Sequence, residues 1–143
     1  MRASEALDAA LGAGGGTGRI AAAGDDGAAE IDAVAIGPIG VRVRAVRIGR
    51  EVDVDVATEA AALPERVRVL SDRMVPVEVD PGLGGAVLRS HPDDMREREF
   101  WELDVRRRST TVRKQRVMPD GQRETIDFTL TREQLGRLVD QVR

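Results

Sequence analysis

The chain has no cysteine and no tyrosine, and among its 143 residues there are only one histidine, one tryptophan and two phenylalanines. Without cysteine there is no disulfide framework and no thiolate metal site. The lone histidine, His91, leaves almost no route to a histidine-based zinc site. No stretch reaches the roughly 18 consecutive apolar residues that a membrane-spanning helix needs. The opening residues, Met1 to Asp8, hold no apolar signal core, so a bacterial-type cytoplasmic protein is expected. With aromatics so scarce, the core has to be built from Val, Ile, Leu and Ala.

The charge balance is also informative. Acidic residues slightly exceed basic ones, for a formal net charge of −3. That argues against a general nucleic-acid coat, which is normally basic. Lys114 is the only lysine; the remaining cations are arginines. Heavy use of Arg, Ala, Gly and Val reads as the imprint of a GC-rich genome rather than of a binding role.

The clearest structural signals lie between Phe100 and Arg143. Trp101, Leu103 and Val105 alternate with Glu102 and Asp104, the period of a half-buried strand. A second strand, Thr110 to Val117, leads into Met118, Pro119, Asp120, Gly121 and Gln122. There Pro presets φ, Asp caps the turn and Gly takes the left-handed position. A third strand runs from Arg123 to Leu130. With Met118 opposite Gln122, the register sets Arg116 against Glu124, Arg113 against Asp127 and Val112 against Phe128. Thr131 and Gln134 then form a capping box. Leu135, Leu138, Val139 and Val142 follow as one apolar helical stripe, which should fold back on the sheet.

Upstream, residues 1 to 28 are rich in Ala and Gly and read as a flexible tail, dispensable for folding. Within it, Ser4 to Leu11 has the makings of a short amphipathic helix. Gly12 to Gly18 reads as a linker, since no strand precedes it and no Gly-Lys-Ser/Thr follows. Residues 29 to 143 read as one α+β domain. Val41 to Ile48 and Val52 to Val56 read as two strands of a hairpin, with Val43 against Val56 and Arg44 against Asp55. The adjacent apolar pair Ala45 and Val46 marks a bulge in the first of them. Thr58 to Leu63 favours helix. Leu63, Val67, Leu70 and Met74 continue the helical spacing, although Val67 and Val69 also alternate. Val75 to Val79 is a short strand that Pro76 places at a sheet edge. Asp80 to Gly85 is a turn rather than a phosphate loop, since no helix follows to aim its amides. Ala86 to Arg89 is a further short strand.

Candidate chemistry is sparse. His91 neighbours Ser90, Asp93 and Asp94, a grouping that reads as turn chemistry, since triad members are brought together in space rather than in sequence. Asp93, Asp94, Glu97 and Glu99 are interleaved with arginines and lack the spacing of a cation loop. No catalytic, cofactor-binding or metal-binding residue is assigned, and the protein is read as non-enzymatic. The densest basic patch is Arg106, Arg107, Arg108, Arg113, Lys114 and Arg116. On a hairpin it could track a phosphate backbone, but the acidic residues before it are placed to neutralise it.

Val112, Arg113, Asp120, Gly121, the run Ile126 to Leu130, and Glu133, Gln134, Leu135 and Leu138 resemble the C-terminal half of the transcriptional coactivators known as positive cofactor four. The resemblance covers residues 110 to 142. It implies single-stranded DNA binding by a dimer through a curved sheet followed by a helix. The chain lacks the stacking aromatics such binding uses. Separately, Gly37 to Met74 is similar in composition and element order to the C-terminal domain of flagellar hook-length control proteins.

The expected fold is therefore α+β: an antiparallel sheet of about five to seven strands with a C-terminal helix packed on it and a flexible N-terminal tail. The expected function is a protein–protein interaction or assembly module. Its edge strands can pair with another chain, a second copy included. Single-stranded nucleic-acid binding by the basic hairpin 106 to 116 is the alternative. No membrane contact is expected.

Overall fold

The computed structural model describes residues 1–13, 16–90 and 98–143. Alternating burial builds the sheet. The strand β2 (Gly27–Ile36) buries Ala29, Ile31 and Ala33, and β3 (Gly40–Gly49) buries Val41, Val43, Val46 and Ile48. Further along, β5 (Gly85–Ser90), β6 (Glu99–Arg106) and β7 (Ser109–Val117) turn Leu88, Leu103, Val105 and Val112 to the same side. With β1 (Gly18–Gly24) and β4 (Met74–Asp80) at its ends, the antiparallel sheet runs β1-β2-β3-β7-β6-β5-β4. Two short strands complete it: β8 (Arg123–Ile126) pairs with β7, and β9 (Phe128–Thr131) pairs with β3.

Among the described residues, three helices cover one face of the sheet. The first, α1 (Ala3–Gly12), lies over β1 and β2; α2 (Val56–Arg66) lies over β4, β5 and β6; α3 (Arg132–Val142) lies between them, against β3 and β9. The core is one continuous cluster of aliphatic side chains with Trp101 and Phe128. These two rings meet edge to face, centroids 4.8 Å apart, an arrangement that adds to the stabilisation from area burial alone. The uncovered face carries alternating charge. Phe100 falls on that side and is flanked by the guanidinium groups of Arg89 and Arg123 at 5.8 and 5.6 Å.

The α+β architecture, the antiparallel sheet and the packed C-terminal helix are as the sequence predicts. The capping box forms as expected: Thr131 Oγ1 accepts from Gln134 N–H at 3.0 Å, and Gln134 Oε1 accepts from Thr131 N–H at 2.9 Å. The described residues form nine strands, above the predicted range.

The described part of residues 1 to 28 forms α1 and β1 rather than the expected flexible tail. α1 buries Ala3, Ser4, Leu7 and Leu11, and β1 pairs with β2 along its whole length. Burying Leu7 and Leu11 alone stabilises the ordered state by about 3–6 kcal/mol at most. Asp26, in the β1–β2 turn, accepts from Ala3 N–H at 2.7 Å, so the hairpin caps the helix. The glycines here serve close packing. A Cβ on Gly24 would sit 2.3 Å from the Ala3 nitrogen, and one on Gly27, at φ +137°, would sit 2.2 Å from the Gly49 carbonyl.

Two predicted pairings are replaced. Val52 to Asp55 is not a strand returning on β3, because β2 takes one edge of β3 while β7 and β9 share the other. Asp55 instead caps α2, accepting from Thr58 N–H at 3.2 Å. That helix ends at Arg66, and Val67, Leu70 and Met74 are buried outside it. The β7–β8 hairpin keeps the predicted Arg116–Glu124 pair, but the register does not extend to Phe128. At Asp127 the chain leaves β7, and β9 pairs Phe128 with Val43. The bulge predicted near Ala45 is present one residue earlier: Asp32 pairs with Ala45 and Ala33 with Val43, which leaves Arg44 as the extra residue. Bulges re-aim side chains. Arg44 here reaches Asp127 Oδ1 at 3.4 Å and the Thr125 carbonyl at 3.2 Å, bridging the junction where β8 gives way to β9.

Candidate functional site

The six predicted basic residues do not form one surface. Arg106, Arg107 and Arg108 cluster at the β6–β7 turn, whereas Arg113, Lys114 and Arg116 lie along β7. Arg108 and Arg116 are about 26 Å apart along extended chain. Strand alternation then divides the second group. Arg113 stands on the uncovered face opposite Glu102; Lys114 and Arg116 project from the other.

Most of these charges are engaged locally. Arg106 Nε is 3.0 Å from Asp104, and Arg108 Nε is 3.6 Å from Asp53. Arg107 donates to the Pro81 carbonyl at 3.4 Å. Glu99 lies 3.0 Å from Arg116 and 3.5 Å from Lys114. The hydrogen bond from Arg116 holds the Glu99 carboxyl below its usual range, with Lys114 adding to the effect against a desolvation that opposes it. Lys114 Nζ also lies 5.0 Å from the Trp101 ring centroid, a cation–π contact. The neutralisation predicted from the acidic run before the basic patch is therefore visible at Glu99 and Asp104.

A polar cluster invisible in the sequence lies under α2. Arg50, whose side chain is 6% exposed, donates to Thr110 Oγ1 and to the Arg106 carbonyl. Its guanidinium is 4.0 Å from Glu59, which is itself hydrogen-bonded by Arg66. Arg66 also donates to the carbonyls of Gln141 and Val142, at 2.7 and 3.2 Å. Burial lowers the proton affinity of Arg50 and Arg66, yet a guanidinium keeps its charge. The cluster ties β3, the β6–β7 turn, α2 and α3 together, a structural role.

Ser90 Oγ, fully buried, accepts from Trp101 N–H at 2.7 Å and is spent on the β5–β6 pairing. His91, Asp93, Asp94 and Glu97 lie outside the described residues. Among the described residues no His, Cys, Asp or Glu grouping has the arrangement of a metal site, and no helix is long and apolar enough to cross a membrane. An open cleft of about 640 Å³ lies between α1 and α3. Its charged side chains pair with one another, Arg2 with Glu5 and Asp140, and Arg132 with Asp8.

The remaining features are the sheet edges. Among the described residues, β1 and β4 are the terminal strands, each with one side unpaired. On β4, Val75, Val77 and Val79 are 37%, 39% and 43% exposed, and Leu83 in the following turn is 81% exposed. Pro76 sits at this edge, as predicted, and the pairing with β5 slips between Pro76 and Glu78.

No family model matches the chain, and neither a curated protein nor a solved structure matches it significantly.

Proposed function

We propose that the protein is a non-enzymatic interaction or assembly module that engages a protein partner through its sheet edge at β4. The observation that carries this reading is the terminal strand β4, which exposes Val75 on the uncovered face, Val79 on the helix-covered face and Val77 at the slip between them, with Leu83 exposed in the following turn. Single exposed apolar residues need no explanation, but several exposed valines on one unpaired edge strand offer that edge to another chain. Pro76 and the register slip interrupt regular ladder bonding. The favoured contact is therefore side-chain packing of a short apolar segment rather than a full added strand.

A photo-reactive residue placed at Val77, in cells that make the protein, tests this. Val77 and Leu83 should yield a discrete cross-linked protein. Arg47, on the charged uncovered face, should not. Identical products from all three positions, or none from any, would remove the support for β4 as the contact.

A further inference from the structure

The two free edges differ in symmetry. Val75 pairs with Arg89, on the uncovered face, whereas Val79 pairs with Ala86, on the helix-covered face, because the slip at Val77 inverts the alternation. Antiparallel partners must share a face, so a two-fold axis at Val77 would set mismatched valines opposite each other. β4 is thereby protected against itself. β1 has no such protection. It contains no proline, and its register with β2 is unbroken from Gly18 to Gly24. A two-residue turn, Asp25 and Asp26, joins them. Such a turn closes on a hydrogen-bonded pair, so the alternation aims the N–H and C=O groups of Arg19, Ala21 and Ala23 at the free edge.

We infer that the free edge of β1 is a docking site for β1 of a second copy of this chain, antiparallel about a two-fold axis at Ala21, which joins the two sheets into one. Ala21 then exchanges both backbone bonds with its counterpart, and Arg19 faces Ala23 of the other copy. No like charges stand directly opposite each other across the axis. Arg19, 79% exposed and 3.0 Å from Glu30 of its own chain, and Asp25, 90% exposed and 2.6 Å from the Met1 ammonium, stand at opposite ends of the strand, each with most of its surface open to a second, intermolecular partner. The axis brings each Arg19 diagonal to the other copy's Asp25, within reach of a long side chain. That complementarity occurs twice and favours a second copy over a foreign strand. On the helix-covered face, Ile20 meets Ala22, large against small. Above them, the charged flank of α1 faces α3 through the Asp8–Arg132 pair. Helical spacing puts Ala6 and Ala10 on the opposite flank, beside the free edge, where small side chains let the two α1 helices approach. The β1 site is separate from the β4 valines, and either can exist without the other.

Sedimentation velocity on the full chain tests the inference, with circular dichroism as the check on folding. Wild type is expected to sediment as a dimer. Ala21→Pro deletes an outward N–H but no bond to β2, and should be monomeric with the wild-type spectrum. Arg19→Glu should raise the dimer dissociation constant about tenfold, as two opposite-charge diagonals become like-charge ones. Adding Asp25→Arg to it should restore the dimer. Should Ala21→Pro not fold, the charge pair carries the test alone. A wild type still monomeric at about 100 μM overturns the inference, whether or not a foreign strand binds there. So does a dimer that Arg19→Glu leaves unchanged.

Discussion

Phe128 lies at the point where the last strand commits to β3 rather than β7. Its ring is 5% exposed and lies edge-on to Trp101. Phe128→Ala should destabilise by about 3–5 kcal/mol, the cost of truncating a buried Phe, measured by urea titration. A loss below about 1 kcal/mol would contradict this packing. The buried arginines make a second demand. Glu59, 13% exposed, is the carboxylate between Arg50 and Arg66. Glu59→Gln leaves two guanidinium groups facing each other without an anion. The expected loss is about 2–3 kcal/mol, at the low end for a broken buried pair because Arg66 is partly solvated. At Glu99 the folded-state pKa is depressed by the hydrogen bond from Arg116. Its contribution is thus complete above the unfolded value and fades as pH falls through the folded one. Stability measured from about pH 4 downward should therefore fall less steeply in Glu99→Gln than in wild type. An equal slope in both would show that the Arg116 bond does not persist in solution.

Among the elements, legibility follows contrast between neighbouring residues. β6, the β7–β8 turn and α3 alternate strongly or carry caps, and each forms where predicted. α1 and β1 are built from Ala and Gly, whose burial differs little from exposure in any local pattern. Leu7 and Leu11 become anchors only once the sheet exists to receive them. Val52 to Val56 shows the opposite failure, because its alternation is real but β7 and β9 already fill the edge of β3 it would need. The candidate site divides in the same way. Arg106 to Arg116 is obvious as a basic run, and two of the carboxylates that pair with it, Glu99 and Asp104, are close in sequence, whereas Asp53 is not. Arg50 and the β4 valines gain meaning only from contacts and strand order set by distant residues. Removing residues 1 to 28 should accordingly abolish cooperative thermal unfolding, since it strips a strand from β2 and a helix from α3. A truncated chain that melts within a few degrees of the full one would restore the tail reading.

For the whole molecule, the distribution of charge weighs against the hairpin as a nucleic-acid site. A protein gains affinity for single strands by neutralising successive phosphates and stacking bases on aromatic rings. Here the basic side chains divide between one turn and the two faces of a strand, so a single backbone track meets only some of them. Glu99 holds Lys114 and Arg116, and Asp104 and Asp53 hold Arg106 and Arg108. Trp101, 8% exposed, packs its ring against Phe128 and beneath Lys114, leaving little of it for a base. Fluorescence anisotropy with a labelled single-stranded oligonucleotide should therefore give a dissociation constant weaker than about 10⁻⁵ M at physiological salt, within the non-specific range. The companion variant changes Arg113, Lys114 and Arg116 to Ser. Submicromolar binding by wild type that falls steeply with salt and disappears in that variant would make the basic strand, not the sheet edge, the working surface of the protein.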